Sequence, residues 1–121
     1  MGLDTHRIGR RFEDHAVRWL EQHGWRLIER NVRFQRREVD VIVRRGDVLA
    51  FVEVKGRHGT GFGPPQEAVT ARKRREIESV ARWWIARHGE AHLSYRFDVV
   101  AVGPGPDGRL AIEHLEDAWR P

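Results

Sequence analysis

Two apolar runs, "EVDVIV" at Glu38–Val43 and "VLAFVEVK" at Val48–Lys55, flank the short polar stretch Arg44-Arg45-Gly46-Asp47. Runs this rich in Val, Ile, Leu and Phe, separated by a few turn-forming residues, read as a β-hairpin at the centre of a sheet. Three charged residues, Asp40, Glu53 and Lys55, interrupt the apolar pattern. Any fold that buries this hairpin must account for them.

The flanking segments indicate what does the burying. From Thr5 to His23, Ile8, Phe12, Ala16, Trp19 and Leu20 recur at helical spacing, and Gly24 follows as a stop. Trp25–Arg30 suits a strand, and Asn31–Arg37 reads as a polar, Arg-rich connection. Residues 56–65, "GRHGTGFGPP", hold four glycines and two prolines and read as an extended loop. Helical period returns from Thr70 to His88, ended by Gly89. Arg96–Val102 is a further strand, Gly103–Gly108 a turn, and Leu110–Leu115 an edge strand before a short tail. The order helix, three strands, helix, strand, strand predicts an α/β fold: a mixed central β-sheet flanked by helices. At 121 residues the chain has the length of one domain with one core.

Composition narrows the function classes. The chain has no cysteine, so neither disulfides nor thiolate metal sites are available. No apolar run reaches membrane-spanning length and the N-terminus lacks the apolar block of a signal peptide, so a cytoplasmic protein is expected. The net charge of +4 favours polyanionic partners. Of the 22 basic residues, only Lys55 and Lys73 are lysines. A pressure toward arginine spares a position where a compact ammonium with a movable pKa is needed, because guanidinium does not release its proton.

Alternation along the third strand puts Glu53 and Lys55 on one face, about 6–7 Å apart. A turn centred on Arg45 and Gly46 brings Asp40, on the preceding strand, near Glu53. Two adjacent buried carboxylates cost several kcal/mol unless a cation compensates them, and a divalent metal with oxygen ligands does so. In the metal reading, Asp40 and Glu53 hold Mg²⁺ or Mn²⁺ and Lys55 orients or deprotonates a water for phosphodiester hydrolysis. A strand-edge ion pair of Lys55 with Glu53 or Asp40 is the plainer alternative.

Glu13, Asp40 and "EVK" at Glu53–Lys55, in this element order, resemble the PD-(D/E)XK nuclease superfamily, whose core is restriction-endonuclease-like. The framing motifs "RNVRFQRREVDVIV", "LAFVEVKGR", "FGPPQEAVTARKRREI" and "RFDVVAV" resemble the small bacterial family named YraN or UPF0102, whose members are described as resolvase-like endonucleases. The resemblance spans roughly His6 to Val102. It implies a Mg²⁺- or Mn²⁺-dependent endonuclease acting on DNA, with branched, Holliday-junction-like DNA as the substrate suggested by the family description. It implies that Asp40 and Glu53 are metal ligands, that Lys55 is the catalytic lysine, and that Glu13 completes the metal shell directly or through water. Glu38 occupies the family's acidic position two residues before the aspartate, with Arg37 where a glycine is usual. Gln66 falls where some superfamily members place a polar active-site residue. A junction-cutting enzyme acts as a symmetric dimer so that two strands are cut together, so a homodimer is the associated expectation. The rival from another class is a non-catalytic nucleic-acid-binding module with a vestigial or regulatory metal site.

A phosphate-binding surface is expected from Arg57 and from Arg72, Lys73, Arg74 and Arg75 at the start of the second helix, extended by Arg36, Arg37, Arg44 and Arg45. Cations there oppose the helix dipole, which an anionic partner offsets. His88 and His92 are read as surface residues, Asp98 as the partner of an arginine, Trp84 as core and Trp83 as a partly exposed flank.

Overall fold

The computed structural model describes residues 5–57 and 69–121 of the chain. Its elements are α1 (Thr5–Gln22), β1 (Arg26–Phe34), β2 (Arg37–Arg45), β3 (Val48–Gly56), α2 (Ala71–His88), β4 (Ser94–Pro104) and β5 (Leu110–Trp119). The strands form one mixed sheet in the order β1-β2-β3-β4-β5. All neighbours are antiparallel except β3 and β4, whose parallel pairing runs from Val48↔Ser94 to Gly56↔Val102. That pair is the one joined through α2, as a crossover requires.

α1 ends in a Schellman motif. Gly24 takes φ +88°, the Trp25 amide donates to the Leu20 carbonyl at 3.0 Å, and the Gly24 amide donates to that of Glu21 at 3.1 Å. α2 begins at Thr70, whose hydroxyl accepts the Lys73 amide at 3.1 Å.

The helices cover opposite faces of the sheet. Ala16, Val17 and Leu20 of α1 pack with Val41, Val43, Ala50, Val52, Val100 and Val102. Ile77, Val80, Ala81 and Trp84 of α2 pack with Ile42, Leu49, Phe51, Phe97 and Val99. β3 therefore buries Leu49 and Phe51 on the α2 side and Ala50 and Val52 on the α1 side, which explains why it reads as an unbroken apolar run. Truncating the fully buried Phe51 to Ala removes about 3–5 kcal/mol.

Two expectations are corrected. Asn31–Arg37 is no connection: β1 runs on to Phe34 and β2 begins at Arg37, leaving only Gln35 and Arg36 as the turn. The period-two signal was carried by Val32 and Phe34 alone, because Arg30, Asn31 and Arg33 project charge and polarity from an edge strand. The residues after Leu115 are no tail either. β5 continues to Trp119, which pairs with Phe97 and stacks on its ring at 5.1 Å; a register shift opposite Phe97/Val99 and the φ of +51° at Asp117 obscured the continuation.

The β2–β3 turn lies on Gly46-Asp47, with Gly46 at φ +60° and Arg45 paired to Val48, one residue beyond the expected centre. This shift brings Asp40 into line with Glu53. The ladder's last paired residues are Val41↔Val52. Beyond them the alternation of β2 breaks: Val41 faces α1, whereas Val39 joins Ile42 on the α2 side. Asp40 sits at the break, and Asn31, in the matching place on β1, has φ +52°. Among the described residues no helix is long and apolar enough to cross a membrane.

Candidate metal and catalytic site

The irregularity at Asn31 and Asp40 gathers three carboxylates from two elements. Oxygens of Glu13 on α1 and of Glu38 and Asp40 on β2 lie within 4.8 Å of one another. α1 comes this close because β3 ends in Gly56: a Cβ there would lie 2.7 Å from the Phe12 ring, one residue before Glu13. Asn31 ties the group together. Its Nδ2 donates to Glu13 Oε1 at 2.9 Å and to Glu38 Oε1 at 2.8 Å. Arg30 reaches Asp14 at 2.8 Å and Glu13 at 3.5 Å, and Arg33 reaches Glu38 at 3.4 Å. The group opens into a cavity of about 550 Å³ that Gly9 and Arg10 also line.

Asp40 points back toward the sheet as well. Where the β2–β3 ladder stops, its Oδ2 accepts the Val54 amide at 2.8 Å. Glu53 lies beside it, 6% exposed, and its Oε2 is buried without a hydrogen-bond partner among the described residues. Burial pushes the Asp40 carboxyl up to about 6; the Val54 bond opposes this, and the charges of Glu13 and Glu38 add to it. Burial pushes Glu53 further, to about 8, with the Asp40 charge second. Lys73 pulls both carboxyls back down, and Lys55 does so for Glu53.

Of the residues expected at the site, Glu13, Glu38 and Asp40 therefore meet directly. Glu53 adjoins Asp40 from a deeper position outside the group of three. Lys55, half-buried, follows two residues along β3. Lys73, expected only in the phosphate-binding surface, has its charge felt by both Asp40 and Glu53. Gln66 lies outside the described residues. Asn31 and Arg30 were not anticipated; the signal available was an Asn, the residue type that most readily accepts positive φ, inside a stretch that otherwise continues as strand.

The arginines separate into distinct settings. Arg57 is held by Glu113 at 2.7 Å on the β5 side. Arg45 lies 4.3 Å over the Trp25 ring, donates to the His23 carbonyl at 3.1 Å and approaches Glu116 at 3.5 Å, while Arg44 donates to the Gly46 carbonyl at 2.9 Å. Arg74 donates to the Val69 carbonyl at 3.1 Å. Arg36 is exposed in the β1–β2 turn. Arg37 donates to Ser79 Oγ at 3.0 Å, and Arg72 meets Glu76 at 3.5 Å. Asp98 is fully buried, paired with Arg96 at 3.0 Å and also with His114 at 2.7 Å. His88 and His92 are exposed and Trp84 is core.

Comparison with known proteins matches these elements as a set. Residues 12–102, from Phe12 beside Glu13 through β4, fit the model of the family described as "Uncharacterised protein family UPF0102". A UPF0102 protein of Symbiobacterium thermophilum is 46% identical over 115 residues, covering 95% of this chain and 98% of its own. One from Rhodococcus jostii is 44% identical over 112 residues, covering 93% and 95%, and one from Geobacter sulfurreducens is 42% identical over 112 residues, covering 93% and 88%. With the match running from the α1 carboxylate through both central strands to β4, this chain belongs to the UPF0102 family.

Proposed function

We propose that the chain is a divalent-metal-dependent nuclease with a PD-(D/E)XK-type core that hydrolyses phosphodiester bonds in DNA, with branched DNA the substrate to test first. One observation carries this reading: Asp40 and Glu53 lie side by side at the end of the β2–β3 ladder, with Glu13 and Glu38 closing on Asp40, and Glu53 keeps a buried oxygen that has no partner among the described residues. So dense a group of carboxylates at the head of an open cavity holds together best around a cation. All the donors are oxygens, which suits Mg²⁺ or Mn²⁺.

Asp40, Glu13 and Glu38 would hold the metal, with Glu53 as the deeper ligand beside Asp40. When bound, a divalent ion supplies charge neutralisation at the phosphate and a lowered pKa for a water. The protein's own residues do the rest. Asn31 fixes the Glu13 and Glu38 oxygens by donating to both, and Val54 fixes Asp40. Lys55 projects from the same strand face as Glu53 and takes or steadies the proton of the attacking water. The water oxygen bonds to phosphorus, the bond to the leaving sugar oxygen breaks, and the proton ends on that oxygen.

Incubation of the protein with linear, flapped and four-way DNA in Mg²⁺, Mn²⁺ or EDTA tests the proposal. Cleavage abolished by EDTA and by Asp40→Asn is the expected result. Binding without cleavage under every metal would overturn it in favour of a non-catalytic nucleic-acid-binding module.

A further inference from the structure

Away from the carboxylates, the end of the β1–β2 hairpin and the exposed flank of α2 form the two walls of a second groove. Arg37 on β2 stands on one side, and Arg72, Arg75, Ser79 and Arg82 on the other. The volume is about 380 Å³. Four guanidinium groups face it against one carboxylate, Glu76, which Arg72 meets at 3.5 Å. Arg37 is set across the groove by its bond to Ser79 Oγ at 3.0 Å. Arg72 stands in the first turn of α2, which holds no acidic residue, and Arg75 follows in the second, where the helix dipole still disfavours cations.

One turn beyond Ser79, the same side of α2 carries Trp83. Its ring stacks on Phe34 at 5.2 Å and 14°, and the Arg87 guanidinium lies 5.0 Å over it. Phe34 is the cross-strand partner of Arg37, so the aromatic column continues the line of the groove. The exposed Arg87 at its end offers the flat guanidinium on which unpaired bases stack.

We infer that this groove binds an unpaired strand of nucleic acid, phosphates between the Arg37 wall and the α2 wall and bases toward the Phe34–Trp83–Arg87 column. Arg37 bonds Ser79 across the groove, so the two walls lie within one side chain's reach and one sugar-phosphate chain can be met from both, while the neighbouring column offers stacking to bases freed from pairing. The inference deepens the nuclease reading by giving the substrate a single-stranded segment, as at a flap or an opened junction. It uses none of the carboxylates.

The test is binding in EDTA, so that its outcome is separate from whether the carboxylates support cleavage. Anisotropy of a labelled single strand, and of the same strand annealed as a blunt duplex, is followed across salt concentrations. The parent is compared with Arg37→Ala/Arg75→Ala/Arg82→Ala and with a charge-matched control, Arg11→Ala/Arg18→Ala/Arg109→Ala, outside the groove; circular dichroism establishes that each is folded. The groove variant should lose roughly tenfold or more in affinity for the single strand, with the salt slope falling by about 2, the value for three lost phosphate contacts. Duplex binding should fall less, and the control should bind the single strand close to the parent. Equal losses for single strand and duplex, equal losses for groove variant and control, or displacement of the strand by inorganic phosphate as effectively as by unlabelled strand at equal phosphate concentration would each overturn the assignment.

Discussion

Val54 donates its backbone N–H to Oδ2 of Asp40 at 2.8 Å, at the point where the β2–β3 ladder ends. A side chain stands in for the strand partner there, so the aspartate is both a candidate ligand and part of the sheet. The two roles separate by substitution. Asp40→Asn keeps an oxygen for the amide and removes a buried charge, so it should be at least as stable as the parent while losing Mn²⁺ binding. Asp40→Ala leaves the amide without a partner and should be about 1–3 kcal/mol less stable than Asp40→Asn in urea unfolding. Equal stability of the two variants would remove the structural role.

The raised carboxyls set a pH dependence whose sign follows from proton release. In the unfolded chain Asp40 and Glu53 lose their protons near 3.8 and 4.5; in the fold they do so at about 6 and about 8. Their contribution is fully present below about pH 4 and is lost as pH rises through about 6 and then about 8. The loss is on the order of several kcal/mol for shifts of this size. Urea melts in EDTA should therefore show falling stability from about pH 5 to about pH 8, flattened at the upper end by Glu53→Gln. Mn²⁺ binds the deprotonated pair, so its affinity should rise over the same window. A flat profile in both measurements would show that the pair is not held protonated.

Asn31 combines a backbone task with a bridging one, and glycine divides them. Asn31→Gly keeps the φ of +52° accessible but removes the donor to Glu13 and Glu38; Asn31→Ala loses the donor and adds strain of about 1 kcal/mol or more. Both should weaken Mn²⁺ binding, measured by calorimetry, and only Asn31→Ala should lose marked stability. If Asn31→Gly binds Mn²⁺ like the parent, the bridge does not organise the carboxylates.

Asp98 makes a contrasting case of a buried carboxylate fully occupied by the protein. Arg96 approaches it through two nitrogens at 3.0 and 3.1 Å, His114 at 2.7 Å, and the Asp117 amide at 3.0 Å. Its role is to fasten β5 to β4. Asp98→Ala, which takes this partner from His114 and leaves Arg96 its contact with Glu116 at 3.3 Å, should cost about 3 kcal/mol in thermal or urea unfolding. Mn²⁺ affinity of the folded variant should stay near the parent's. A change in affinity with little loss of stability would move Asp98 into the metal site.

The contrast shows what could be read from the chain and what could not. The hairpin and both helices were legible because period two and period 3.6 are local signals; the register was legible only to within a residue or two, since the turn lies on Gly46-Asp47 and this shift is what brings Asp40 into line with Glu53. Glu38 could be placed beside Asp40 only once the strand was known to break its alternation. Asn31 was hidden because its stretch, dense in arginine, has the composition of a loop. The settings of the arginines were illegible altogether: Arg57 and Arg75 look equivalent in sequence, yet one is held by Glu113 and the other faces a groove.

The two lysines in an otherwise arginine-only set give the sharpest remaining prediction. Both are half-buried, and both bias Glu53 toward its charged form, Lys73 more strongly; Lys73 alone also acts on Asp40. Lys73 enters from the capped start of α2 and Lys55 from the strand that carries Glu53, so their tasks should differ. Removing a cation raises the pH at which neighbouring carboxyls ionise. Lys73→Ala should move the rise of Mn²⁺ affinity to higher pH, while Lys73→Arg, which keeps the charge, should restore most of the parental profile. Lys55→Ala should shift that profile less. If Lys55 handles the proton of the attacking water, Lys55→Arg should be unable to replace it, since guanidinium stays protonated, and cleavage should fall on the order of a hundredfold with fold and strand binding retained. A Lys55→Arg variant that cuts DNA at near-parental rate would reduce Lys55 to a charge, and a Lys73→Ala variant with an unmoved Mn²⁺ profile would take Lys73 out of the carboxylate site.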